Sequence, residues 1–227
     1  MRRLRLRGER GLTLIELMVA LVLGIIVSAA TLAIVISSVH LTSNYDDKVD
    51  ATQQGRVAML KITQALDSSC VAAGLAPILP ASDNNDVWFY SALSDSPTIT
   101  PNKVEISLTG GSLVMNTYAY TSGSAPNWVF AGTPTATTLV VNAQAMGSTP
   151  VFQYYGYTNG ALSSTPYTIT TTLGSNAATT DEVAINFQAN PTDNWTAVGR
   201  AASFSDAVVL RLASASGATG AANLPCT

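Results

Sequence analysis

The sequence predicts an α+β fold: a long N-terminal α-helix, with a membrane half and an amphipathic half, packed on a C-terminal antiparallel β-sheet domain. Three observations carry this prediction. The 25 residues from Leu17 to Leu41 contain no Asp, Glu, Lys or Arg. Residues 45–69 then run on without a Pro and with the single Gly55, at helical spacing. Past Pro80 the pattern becomes short runs of β-branched and aromatic residues between loops rich in Pro, Gly, Ser and Thr.

At 1.5 Å per residue the uncharged stretch is about 37 Å long as a helix, enough to cross a hydrocarbon core of about 30 Å. Gly24, Ser28 and Thr31 are small enough for close helix–helix approach. One acid, Glu16, sits inside the apolar segment, and no charge occurs between it and Asp46. A carboxylate inserted at mid-bilayer costs roughly 2.5–3.5 kcal/mol, so it calls for a partner or a functional reason. Upstream lie Arg2, Arg3, Arg5, Arg7 and Arg10, five of the eleven basic residues, which read as the cytoplasmic flank of a membrane segment. An ordinary secretory signal places its cleavage site after the apolar region. Here the candidate cut, at Gly11, comes before it.

The helix has no stop at Leu41. Ala58, Ile62, Ala65, Leu66 and Ser69 follow i, i+3, i+4 spacing, among charged residues that include Asp46, Asp47, Lys48, Asp50, Arg56 and Lys61. One continuous rod is expected, with Gly74 and Pro77 as stop signals beyond it. Strands are expected at 87–90, 103–108, 113–120, 138–141, 151–155, 182–187 and 207–212. Gly110-Gly111 serves as a hairpin turn, and the segments 121–136 and 158–180 read as loops. The spacing points to an antiparallel sheet with long loops on one side.

Composition removes several function classes. Beyond residue 11 there remain six Lys/Arg against thirteen Asp/Glu, which argues against a nucleic-acid partner. Only 11% of residues are charged, against about 25% in a typical soluble domain, which fits an exported β-rich domain. His40 is the only histidine and reads as a solvated helix residue, so a Ser-His-Asp or Cys-His set cannot be built from it. One His and two distant Cys give no zinc pattern. Asp83-Asn84-Asn85-Asp86 is too short for a calcium loop and reads as a turn. No catalytic residue, metal or cofactor is expected. Cys70 and Cys226 bracket the β region; in an exported chain they read as one bridge, the alternative being two free thiols. Closing so long a loop is worth roughly 5 kcal/mol in the chain-entropy treatment.

The stretch Gly11-Leu12-Thr13-Leu14-Ile15-Glu16-Leu17-Met18-Val19-Ala20-Leu21 resembles the processing and assembly motif of type IV prepilins and of the pseudopilins of type II secretion. Leu12 stands where the family usually has Phe. The Pro that kinks the helix of many major pilins is missing, which shades the resemblance toward minor pilins and pseudopilins. The later strands resemble the larger minor pilins of the W type and the J-type pseudopilins, and the closing Pro225-Cys226 resembles versions from actinobacteria. The resemblance implies a lollipop architecture: a leader at 1–11, a helix at 12–72 that is transmembrane at about 14–40, and an extracytoplasmic β-rich domain at 73–227. It also implies a sequence of events. A prepilin peptidase cuts between Gly11 and Leu12 and methylates the Leu12 amine. Glu16 then pairs with the N-terminal amine of a neighbouring subunit during assembly. The implied partners are that peptidase, other pilin or pseudopilin subunits, an inner-membrane assembly platform and membrane lipid. The implied location is a single-pass plasma-membrane protein that passes into a cell-surface or periplasmic filament.

Two rival readings remain at this point. One is a membrane-anchored enzyme using a pair among Asp83, Asp86, Asp95, Glu105, Asp181, Glu182, Asp193 and Asp206. The other is an adhesin. Trp88, Trp128 and Trp195 would stack on sugars if exposed, although core packing is the commoner use of Trp. Asn194-Trp195-Thr196 matches a glycosylation acceptor, a pattern short enough to arise by chance.

Overall fold

The computed structural model describes residues 13–70, 75–91, 100–158, 160–191, 201–210 and 226. Gly11 and Leu12, the basic leader, Gly74, Asp95, Asp193, Trp195 and residues 211–212 lie outside the described residues. The chain divides into two compact units, Met1–Asp46 and Asp47–Thr227.

One helix, α1 (Leu14–Asp67, 54 residues), runs through most of the expected rod. In the first unit every described side chain is exposed, from Leu14 to Asp46. The hydroxyls that would otherwise be orphaned in an apolar medium bond back to the helix: Ser28 Oγ donates to Gly24 O at 2.8 Å and Thr31 Oγ1 to Ser28 O at 2.9 Å. The helix is long and apolar enough to cross a membrane.

In the second unit α1 buries Ala51, Gly55, Ala58, Ile62, Ala65 and Leu66. Four of these were expected from the spacing. Ala51 and Gly55 extend the same stripe, while Val49, Val57 and Leu60 stay exposed on the other side. The helix ends at Asp67, short of the expected 72. Ser68 Oγ turns back to Ala65 O and also pairs with Ser91 Oγ, and Cys70 N–H donates to Tyr90 O at 2.9 Å. A sheet edge thus takes up the chain before Gly74 can stop it.

Among the described residues the β part has twelve strands: β1 (Asp86–Ser91), β2 (Asn102–Thr109), β3 (Ser112–Tyr118), β4 (Tyr120–Ser122), β5 (Val129–Phe130), β6 (Thr135–Val140), β7 (Ala143–Gln144), β8 (Phe152–Tyr155), β9 (Tyr157–Thr158), β10 (Ala161–Leu162), β11 (Glu182–Ala189) and β12 (Ala202–Val209). Instead of one sheet there are two four-stranded ones, β1-β2-β3-β6 and β12-β11-β7 with β8 also on β11; β4-β5 and β9-β10 form small ribbons. All the pairings are antiparallel. The β2–β3 turn is the expected glycine turn: Thr109 pairs with Ser112, and Gly110 and Gly111 have φ of 60° and 76°, as a type I′ turn requires. The segments read as loops hold the ribbons and the start of β6, because runs of two or three residues carry too little periodicity to register. β12 begins at Ala202, five residues before the apolar run at 207.

Both sheets and the second half of α1 share one core. Ile62 and Leu66 meet Phe89 and Ile106 of the first sheet and Phe152, Ile185 and Phe187 of the second in one buried cluster. Phe204 of β12 stacks on Phe187 with ring centroids 5.3 Å apart, and lies against Gly55 so closely that a Cβ there would strike the ring. A disulfide joins Cys70 to Cys226, with Cα atoms 5.5 Å apart, and ties the penultimate residue to the end of the helical region.

Candidate processing and assembly site

The start of α1 is built by the sequence Thr13-Leu14-Ile15-Glu16. Thr13 O accepts the N–H groups of Glu16 at 3.0 Å and Leu17 at 3.2 Å. Thr13 Oγ1 accepts the Glu16 N–H at 3.4 Å and donates to Glu16 Oε2 at the same distance. This is the residue pattern of a capping box, Thr-x-x-Glu, in which two side chains satisfy helix N–H groups that have no intrahelical partner. The pattern was legible in the sequence, yet the placement of an acid in an apolar segment drew attention away from its local role. Thr13 is therefore the cap and Glu16 its partner three residues on, whose carboxylate accepts the Thr13 hydroxyl and is exposed, in the first helical turn where the helix dipole favours negative charge.

Gly24 has open space where a Cβ would be, so nothing within the subunit demands a glycine there. His40 is exposed on α1, as expected.

The acids of the β unit divide by environment. Asp181 is buried, its Oδ2 accepts the Tyr157 N–H at 3.0 Å, and its backbone bridges β8 and the end of β12 through Tyr155 O and Leu210 N–H. That is a structural task. Asp83 Oδ1 accepts the N–H groups of Asn85 at 2.6 Å and Asp86 at 3.0 Å, which makes Asp83–Asp86 the expected turn. Asp83 and Glu105 both come close enough to Asp86 to act on its charge, a grouping that no sequence spacing reveals. Burial first, and then the charges of Asp83 and Glu105, push the Asp86 carboxyl up to about 6. Among the described residues no group of three or more His, Cys, Asp or Glu side chains is arranged to hold a metal ion.

The two described tryptophans are half-buried, outside the core that sequence reasoning favoured for them. They belong to an aromatic layer on the outer face of the first sheet. Trp88 stacks on Tyr118 at 5.8 Å, Tyr90 stacks on Phe130 at 5.6 Å, and Trp128 meets Tyr90 edge-on at 5.2 Å. Lys103 lies over Tyr118 at 4.6 Å and Trp88 at 5.0 Å. Tyr90 and Trp128 also pack against the Cys70–Cys226 bridge. The rings are thus one another's partners and a cover for the disulfide.

Residues 6–32 match the family described as the prokaryotic N-terminal methylation motif. A methylation motif opening an apolar helix, followed by an antiparallel β domain, points to a type IV pilin or pseudopilin type of protein. The match supports that family for this chain and specifies no subtype within it. No curated protein matches the chain.

Proposed function

We propose that the chain is a minor pilin or pseudopilin, a non-enzymatic structural subunit of a type IV pilus-like filament or a type II secretion pseudopilus. The observation that carries this reading is the first half of α1: an apolar helix with every side chain exposed, headed by a single carboxylate inside a methylation motif. Such a surface is at home in lipid, and equally among like helices.

In this reading prepilin peptidase removes residues 1–11, cutting between Gly11 and Leu12, and methylates the new Leu12 amine. A glycine before the cut leaves the scissile backbone uncovered. The subunit then waits in the plasma membrane, anchored at about 14–40, with the β-rich domain on the outer side. Glu16 is costly in lipid and is relieved when a neighbour's N-terminal ammonium pairs with it as the subunit enters the filament through the assembly platform. Transfer of the apolar helix from lipid to a bundle of like helices completes the step.

The bond between the Thr13 cap and Glu16 supplies a sharp test. Gln at an N3 position still serves a capping box but carries no charge. Cells carrying Glu16→Gln or Glu16→Ala should process the leader normally yet incorporate the subunit into filaments at under about a tenth of the wild-type level, a loss of more than about 1.4 kcal/mol. Normal incorporation of the Gln variant would reduce Glu16 to a partner of the helix cap.

A further inference from the structure

The turn Asp83–Asp86 is one place where the two sheets are fastened to each other. Asn85 O accepts the Leu108 N–H of β2 at 3.0 Å, on the side of the first sheet. Asn84 O accepts the Phe152 N–H of β8 at 3.1 Å, on the side of the second. The Tyr154 hydroxyl, on the same strand β8, lies 2.9 Å from both Asp83 O and Asp86 O and shares its single proton between the two carbonyls. Four residues thus take hydrogen bonds from both sheets, and the strand β1 begins at the last of them.

That joint is lined with acid. Asp83 lies in the turn itself, Glu105 approaches from β2, and Tyr154 from β8. Both charges that act on Asp86 are negative. Lys103, two residues from Glu105, is placed over the rings of Trp88 and Tyr118. Glu105 Oε2 accepts Asn116 Nδ2 at 2.9 Å and the Tyr118 hydroxyl at 3.4 Å. Asp86 Oδ1 is buried without a hydrogen-bond partner. The Trp88 side chain and the Asp83 backbone hydrogen-bond the Asp86 carboxylate and favour its charge, but burial and repulsion outweigh them. Tyr154, buried and beside Asp86, has its hydroxyl held well above its usual range, so it remains a donor throughout.

We propose that this joint is an acid-tightened clasp: in mildly acidic surroundings Asp86 takes a proton, the cost of holding its part-buried carboxylate charged is lifted, repulsion from Asp83 and Glu105 ends, and the turn holds the two sheets more firmly than at neutral pH. The carboxyl rises from its ordinary 3.8 to about 6 in the folded chain, so the folded state binds this proton more tightly than the unfolded one. The penalty is absent below about 3.8, grows through the interval, and is complete above about 6. Stability at the joint therefore increases as pH falls from 7 toward 4. A head domain displayed outside the cell meets such changes directly. The clasp is independent of filament assembly.

Hydrogen exchange followed by mass spectrometry, on the full chain in detergent micelles, tests it. Protection factors, corrected for the intrinsic rate, are compared at about pH 5 and about pH 7.5 in peptides containing the amides of Asp86, Leu108 and Phe152. A shift of about two pKa units sets a ceiling near a hundredfold, and the partial exposure of Asp86 lowers the expected gain at pH 5 to about three- to tenfold. In Asp86→Asn the gain should vanish, with protection at both pH values close to the wild-type acid value. Equal wild-type protection at the two pH values, or a wild-type pH response in Asp86→Asn, overturns the proposal. Should that variant not fold, Glu105→Gln decides: removing one repelling charge must move the midpoint of the response to lower pH, and an unmoved midpoint overturns the clasp.

Discussion

The two halves of α1 are one uninterrupted helix and obey opposite rules. From Leu14 to Asp46 its side chains are exposed all round, large aliphatic residues included. From Asp47 onward it keeps a narrow buried stripe of Ala51, Gly55, Ala58, Ile62, Ala65 and Leu66, and leaves the opposite side exposed, where charged residues mix with Val49, Val57 and Leu60. An amphipathic stripe is satisfied by the chain's own core, whereas a helix apolar all round needs a medium or neighbours that the chain does not provide. The second half therefore answers to folding, and the first to membrane and assembly. Substitutions of one kind should have different consequences in the two halves.

The largest effect on the folded unit is expected from the bridge. Replacing both Cys70 and Cys226 by Ser opens a loop with a sequence separation of 156 residues. The chain-entropy treatment gives about 5 kcal/mol for its loss, and native bridges typically contribute about 2–5 kcal/mol. Urea unfolding of the full chain in detergent should show a lower midpoint by that measure, with the helical signal of the apolar half retained. An unchanged midpoint would remove the bridge from the list of things that hold the β unit together.

A smaller and more discriminating contrast uses one substitution at two glycines of the same helix. At Gly55 a Cβ meets the ring of Phe204, and at Gly24 it meets nothing within 4 Å. Gly55→Leu should destabilise the β unit by about 1–3 kcal/mol through overpacking, lowering its melting temperature by roughly 3–10 °C. Gly24→Leu should leave that temperature unchanged within about a degree. Equal effects at the two sites, read by calorimetry, would break the division between the halves.

The same division explains what was legible in the sequence. Periodicity over long stretches is a strong signal, so α1, the β2–β3 hairpin and the strands β1, β8 and β11 could be read directly. The glycine pair at 110–111 fixed a turn because its local conformation leaves few other residues. The Thr13–Glu16 cap was equally local and was overlooked only because the acid's position in an apolar run suggested a distant partner first. What could not be read depends on contacts across the chain. Nothing near Asp86 in sequence predicts Tyr154 or Glu105 beside it, and nothing near Gly55 predicts Phe204. The aromatic layer is a further case: Trp88 and Trp128 are large enough to be assigned to a core, but the alternation of β1 turns Val87 and Phe89 inward and Trp88 and Tyr90 outward. The edges of β12 and the two ribbons were missed because polar and small residues there are held by pairing rather than by pattern.

The proposal that this chain is processed and assembled as a pilin-type subunit meets its most direct test at the new N-terminus. Mass spectrometry of the protein purified from cell membranes should find a chain that begins at Leu12 and carries one methyl group on its amine. An intact leader, or a first residue at or beyond Leu21, would contradict the account.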